Sequence, residues 1–254
     1  MTALRALAGG MDVPPRDGEF EVRYVAEGGG LQRVPLNEVG RMRFEAVAPA
    51  RAFVSYKGQR NFPGLWWSAT VGGHVGYESW LERDHLMLLD FDPAVVGISS
   101  QPFWLSWSTA EGKVRSHAPD YFARRADGSA VVVDCRPLER IKPRDAVKFE
   151  ATRRACERLG WDYHVVGAVD GVVAANVRWL SGYRHPRHAR EDVAAALLAA
   201  FTEPAELMAG AQSVSDPIAV LPVLFHLLWR HQLAADLSVP LHPLTHISAT
   251  GREV

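Results

Sequence analysis

The chain has 254 residues, of which 48% are hydrophobic and 22% charged, with a formal net charge of -1. That composition suits a globular protein with a real core and excludes a generally basic one. No apolar run approaches the roughly 18–20 residues that span a bilayer, and the N-terminus turns acidic too soon for a signal peptide, so no membrane partner is expected and the cytoplasm is the expected compartment. Residues 1–60 read as an N-terminal arm or hairpin, with alternation in Phe20 to Val25 and a turn at Gly28-Gly29-Gly30. From Tyr77 to Leu89 apolar residues recur at helical steps, and Asp92-Pro93 ends the pattern. Val95 to Ile98, Pro102 to Trp107, His117 to Phe122 and Ala130 to Cys135 are strand-like. A helix from about Pro143 to Leu159 follows, with proline in its first turn and Gly160 as its stop. Trp161 to Gly167 then returns as a strand, and strand, helix, strand over this length predicts a parallel pair.

Beyond Gly171 the composition shifts to helices over 189–201 and 218–233, the second opened by Asp216-Pro217. VPLHPLTHIS would suit the wing of a small helical domain. The division expected is 1–60, a domain over 61–175, and a C-terminal helical domain over 176–254. No internal repeat is visible.

Charge is distributed unevenly. Residues 136–158 carry eight basic side chains against four acidic ones, whereas 191–218 contains five acids and neither Lys nor Arg. One face could meet phosphates; the plainer alternative is a solvated helix surface. Lys57, Arg60 and Arg51 could form a second DNA-contacting loop or a solvated turn. Trp66, Trp67, Trp104 and Trp107 are expected in the core rather than stacked on bases.

The chemistry-bearing stretch runs from Pro119-Asp120 to Asp134-Cys135-Arg136, with Glu78 and Glu82 on the helix upstream. Alternate side chains of a strand share a face, so Asp134 and Arg136 project with Val132, and Val133 and Cys135 face the other way. Carboxylates on adjacent strands can share a divalent cation, which prefers hard oxygen ligands and can activate water at a phosphate. Two cysteines cannot make a four-ligand zinc site, and the histidine pairs His185/His188 and His242/His246 lack companions. No phosphate-binding loop, dinucleotide fingerprint or nucleophile elbow is present.

These residues resemble a known family. The order E…PD…(D/E)xK is similar to the PD-(D/E)xK nucleases of the restriction-endonuclease-like superfamily. SYKGQRNFPG (55–64), YESWLERDHLMLLDFDP (77–93), Val95-Val96, Gln101-Pro102, SHAPDYFAR (116–124) and VVVDCRP (131–137) resemble TnsA, the endonuclease subunit of heteromeric transposases. The resemblance implies an α/β fold with a restriction-endonuclease-like mixed sheet flanked by helices. It also implies a smaller, mostly helical, winged-helix-like C-terminal domain, most recognisable in LPVLFHLLWRHQLAADL. Ser79-Trp80-Leu81-Glu82 matches the family's catalytic-helix phrase, favouring Glu82 over Glu78. By the same resemblance Glu82, Asp120 and Asp134 would hold Mg²⁺, with Mn²⁺ as substitute, and Arg136 would contact the scissile phosphate. Lys142, Arg144 and Lys148 would join Lys57 and Arg60 in binding double-stranded DNA. The implied partners are a DDE-type transposase subunit and an AAA+ regulator.

The sequence departs from the family pattern where lysine gives way to Arg136. A guanidinium stays charged and cannot act as a general base at neutral pH, although it can bind phosphate. Either the lysine's role is electrostatic and activity survives, or Lys142 or Lys148 substitutes, or the site is inert. The readings are therefore a metal-dependent endonuclease cutting one strand at transposon ends, a decayed nuclease fold serving as a DNA-binding or assembly subunit, and a stand-alone defence nuclease.

Overall fold

A computed structural model describes residues 20–26, 28–51, 62–109 and 111–251. Contacts divide the chain into two units, residues 1–89 with 94–168 and residues 90–93 with 169–254.

In the first unit the strands are β1 (Glu21–Val25), β2 (Leu31–Pro35), β3 (Gly64–Ser68) and β4 (Gly73–Tyr77). Helix α1 (Trp80–Phe91) follows, then β5 (Val95–Ser100), β6 (Trp104–Ser108), β7 (Val114–His117), β8 (Tyr121–Arg125), β9 (Ala130–Cys135), α2 (Pro143–Leu159) and β10 (Asp162–Val166). They form sheets ordered β2-β1-β6-β7 and β10-β9-β8-β5, with β3-β4 as a separate hairpin. β9 is a β-branched run buried along most of its length, as a central strand covered on both faces must be. It pairs antiparallel with β8 and parallel with β10, the crossover being α2. Pro143 opens α2, and Gly160 ends it at φ +69°, a left-handed turn that glycine adopts without steric cost. On one face of this sheet Phe122, Ala130 and Val132 pack with Ala151, Ala155 and Cys156 of α2 and with Trp161. On the other, Tyr121, Val131 and Val133 pack with Leu86 of α1, Val95 and Ile98. Each fully buried large apolar side chain contributes roughly 1.5–3 kcal/mol relative to exposure. This is the mixed, helix-flanked arrangement of the restriction-endonuclease-like fold.

Three local expectations change. Helix α1 starts at Trp80 rather than Tyr77, because Ser79 and Glu82 form its opening hydrogen bonds. His117 to Phe122 is not one strand: His117 ends β7 in one sheet and Tyr121 begins β8 in the other, with Ala118-Pro119-Asp120 as the passage between them. Of the four tryptophans expected in the core only Trp107 is buried, while Trp66, Trp67 and Trp104 are half-buried. Trp80 is exposed, as is Trp179; Trp80 stacks on Phe62 and is covered by the Arg83 guanidinium 4.3 Å away.

The second unit contains α3 (Gly171–Ser181), α4 (Glu191–Ala200), β11 (Ala205–Glu206), α5 (Leu207–Val214), α6 (Pro217–Trp229), β12 (Leu233–Ala234) and β13 (His246–Ala249). Its sheet is ordered β11-β13-β12, antiparallel throughout. Leu180, Leu197, Phe201, Ala211 and Leu224 are fully buried. The Asn176 amide donates to the Leu237 and Val239 carbonyls at 2.9 and 2.7 Å and accepts from Leu241 N–H at 3.1 Å, tying the loop before β13 to α3. Among the described residues no helix is long and apolar enough to cross a membrane.

Candidate active site

Glu82 lies in the first turn of α1, where its two carboxylate oxygens serve the helix start. Oε2 accepts from Glu78 N–H at 2.7 Å, Oε1 from the Ser79 hydroxyl at 2.9 Å, and Ser79 Oγ accepts from Glu82 N–H at 3.2 Å. The Ser-x-x-Glu phrase is thus a capping box as well as a family signature. Burial raises the Glu82 carboxyl above its ordinary range and the Glu78 charge adds to that, against hydrogen bonds and Arg51 that pull it down. Arg51 is itself paired with Glu78 at 2.5 Å.

Asp120 is half-buried, with its carboxyl in densely packed surroundings at the start of β8. Its Oδ2 accepts from Cys135 N–H at 2.7 Å. Burial, then the charges of Asp134 and Glu82, push this carboxyl well above the usual range, more than the Cys135 amide and Arg51 lower it. A carboxyl in this state is crowded by like charge and short of cations.

Asp134 is 2% exposed. The Tyr163 hydroxyl donates to its Oδ2 at 2.5 Å, and His117 Nε2 stands 2.9 Å from both oxygens. His117 sits edge-on to Phe149 of α2, so Asp134 faces α2 along with Val132, while Val133 and Cys135 pack toward α1. That division of β9 is the one strand alternation predicts. Arg136 follows the strand, its backbone N–H bonded to Val166 O at 2.8 Å and its Nη2 3.3 Å from Asp145. Its Nε is buried without a hydrogen-bond partner among the described residues.

Residues 92–167 match the family model described as TnsA-like endonuclease N terminal. Over this stretch the chain is similar to the N-terminal domain of TnsA-like endonucleases. No curated protein matches it. The matched stretch of the TnsA-like domain contains Gln101, Asp120, Asp134, Arg136 and all of α2, whereas Glu82 lies ahead of it on α1.

The basic residues sort themselves by position. Lys142 and Arg144 are exposed at the N-terminus of α2, where Asp145 joins Arg136, the Lys142 backbone N–H at 3.4 Å and Arg144 at 3.9 Å. A helix N-terminus with three cations around it is a favourable place for a phosphate. Lys148 is half-buried one turn further on. Lys57 and Arg60 lie outside the described residues.

Among the described residues no group of three or more His, Cys, Asp or Glu side chains is arranged to hold a metal ion. The reason lies in the hydrogen bonds: Asp134 is engaged on the α2 face, and Glu82 is engaged at the start of α1, which covers the other face. Asp120 is different. Among the described residues no hydrogen bond reaches its Oδ1, and its raised carboxyl would be relieved by a cation. The hard oxygen and surplus negative charge at Asp120 are of the chemistry that Mg²⁺ prefers, while Glu82 and Asp134 are committed to other hydrogen bonds.

Three residues near this centre escaped the sequence reading. His117 and Tyr163 hold Asp134 from strands that are 17 and 29 residues away in the chain, a relation no local pattern carries. Gln101, quoted above only as part of a Gln-Pro phrase, adopts φ +48°. A non-glycine residue there costs about 1–3 kcal/mol, and a following proline disfavours helical backbone angles further.

Proposed function

We propose that the chain is a Mg²⁺-dependent DNA endonuclease that cuts one strand at transposon ends beside a DDE-type transposase. The observation that carries this reading is the Asp120 carboxyl, crowded by Asp134 and Glu82 at the Pro-Asp corner of a TnsA-like nuclease domain. Asp120, with Glu82 and Asp134, would hold the cation, which when bound supplies charge neutralisation and a more acidic water. Arg136, Lys142 and Arg144 bind and orient the DNA backbone. Arg136 acts through its charge: the guanidinium holds a phosphate and moves no proton. Tyr163 and His117 fix the Asp134 carboxylate. The helix-strand-helix-helix-strand-strand order from α4 to β13 supports a winged-helix-like C-terminal unit. An AAA+ regulator as a further partner rests on the family resemblance.

The test is strand cleavage of a labelled transposon-end duplex by the full chain with its partner transposase and Mg²⁺. Cleavage by the wild-type protein and none by Asp120→Asn supports the assignment; equal cleavage by both sinks it. A decayed nuclease acting as a DNA-binding subunit is the second reading, favoured by the full engagement of Asp134 with Tyr163 and His117. Salt-dependent DNA binding without cleavage by the wild-type complex would establish that instead.

A further inference from the structure

We infer that Gln101 belongs to the active site and that its carboxamide, together with Asp120, holds a bound water molecule there. The sheet places it. Ser100 stands opposite Tyr121, and Tyr121 opposite Val133, across β5, β8 and β9. One step further along each strand come Gln101, Asp120 and Asp134, forming a row across the sheet's end. The row is stitched by Gln101 N–H to Asp120 O at 2.8 Å and by Cys135 N–H to Asp120 Oδ2 at 2.7 Å. The Gln101 carbonyl accepts from Ala50 N–H at 2.8 Å, so its backbone is fully used.

The side chain is not. Gln101 is 1% exposed, and among the described residues neither its amide nitrogen nor its amide oxygen has a hydrogen-bond partner. A buried carboxamide with both ends unsatisfied is costly, and native interiors rarely contain one. An apolar side chain of the same length would serve packing better. Gln101 also carries a left-handed backbone in front of Pro102, and strain and unmet polarity at one residue beside a carboxylate mark a place kept for a ligand. The ligand's chemistry follows from the two ends. A phosphate oxygen could accept from the amide nitrogen but would leave the amide oxygen unpaired. Water accepts at one end and donates at the other, and its second hydrogen is available to Asp120.

Gln101 is therefore a positioning residue that acts through water on Asp120. Its role in cleavage rests on the nuclease reading above; the bound water does not. The test uses the full chain and two variants, Gln101→Met, which keeps the length and removes the polarity, and Gln101→Glu, which keeps an acceptor in place. A high-resolution crystal structure of the wild-type protein should show water within hydrogen-bond distance of both the Gln101 amide and the Asp120 carboxyl, and Gln101→Met should lose it. No water at that position overturns the inference. Gln101→Met should melt no lower than wild type, yet lose at least tenfold in single-turnover cleavage and in Mn²⁺ affinity, with Gln101→Glu retaining more of both. Wild-type cleavage and Mn²⁺ affinity in Gln101→Met would make Gln101 a structural orphan only. Should the wild-type complex cleave nothing, the nuclease reading fails, and the water between Gln101 and Asp120 still decides the binding half of the inference.

Discussion

Tyr163 of β10 donates its hydroxyl to Asp134 of β9 at 2.5 Å, across the parallel pair that α2 connects. The second carboxylate of the site is thus held by a strand that carries no site motif of its own. Burial and the Asp134 charge raise the Tyr163 hydroxyl well above its ordinary range, so it stays protonated and remains a donor. Tyr163→Phe should destabilise the protein by about 1.5–3 kcal/mol, the worth of a hydrogen bond to a charged group. Urea unfolding of the two proteins measures it, and an unchanged midpoint would refute the hold.

Removing the charge of Asp120 should separate stability from activity. Asp120→Asn keeps the size and the acceptor for Cys135 N–H while relieving the crowding by Asp134 and Glu82. The variant is expected to melt no lower than wild type in chelator, and to cleave no DNA. Thermal melts in EDTA and a cleavage assay read the two effects separately.

Arg136→Ala should cost cleavage about 10²–10³-fold, the usual loss when one donor to a developing charge is removed. Arg136→Lys keeps the charge and should restore much of that loss, because the proposed role is electrostatic. Cleavage unaffected by Arg136→Ala would remove this residue from the site.

In the second unit Gly210→Ala reverses the ordinary helix rule. Alanine in place of a helical glycine normally stabilises by about 1 kcal/mol. Here the added methyl would run into the ring of Phe201, which is fully buried and cannot move aside. Overpacking of about 1–3 kcal/mol should win, lowering the melting temperature.

His226 predicts acid sensitivity. It is 7% exposed and donates through Nδ1 to Tyr183 O at 2.7 Å, and burial, helped by the Arg230 charge, lowers its pKa below the ordinary 6.5. The unfolded chain then binds the proton more readily than the folded one. Stability should fall as pH drops through 6.5 and level off below the folded pKa. His85, bonded to Gly167 O at 2.7 Å and lowered mainly by burial, works in the same direction. Denaturation midpoints between pH 5 and 8 should slope less in His226→Gln.

What the sequence made legible was governed by local signals. Pro143 and Gly160 bracket α2 because a proline and a left-handed glycine act on the backbone where they stand. The faces of β9 follow from alternation alone. Helix α3 was missed: its β-branched Val172 and Val173 follow an Asp-Gly pair that reads as a turn, although Asp170 in fact caps the helix by accepting from both valine N–H groups. The candidate carboxylates were readable through their order, but their hydrogen-bond partners were not. Those come from β7, β10 and the start of α1, and only the folded register brings them into reach.

The Asp134 lock also sets an order of assembly. A ribosome releases β9 before α2 and β10, so a chain halted between Asp134 and Tyr163 has made the carboxylate without the hydroxyl that holds it. The strand carrying the Asp-x-Arg motif is early in the first unit's synthesis relative to its own support. The carboxylate at Asp134 thereby gains its Tyr163 support only once the last strand of that unit has been made, and an interrupted translation product carries the Asp-x-Arg motif without that support.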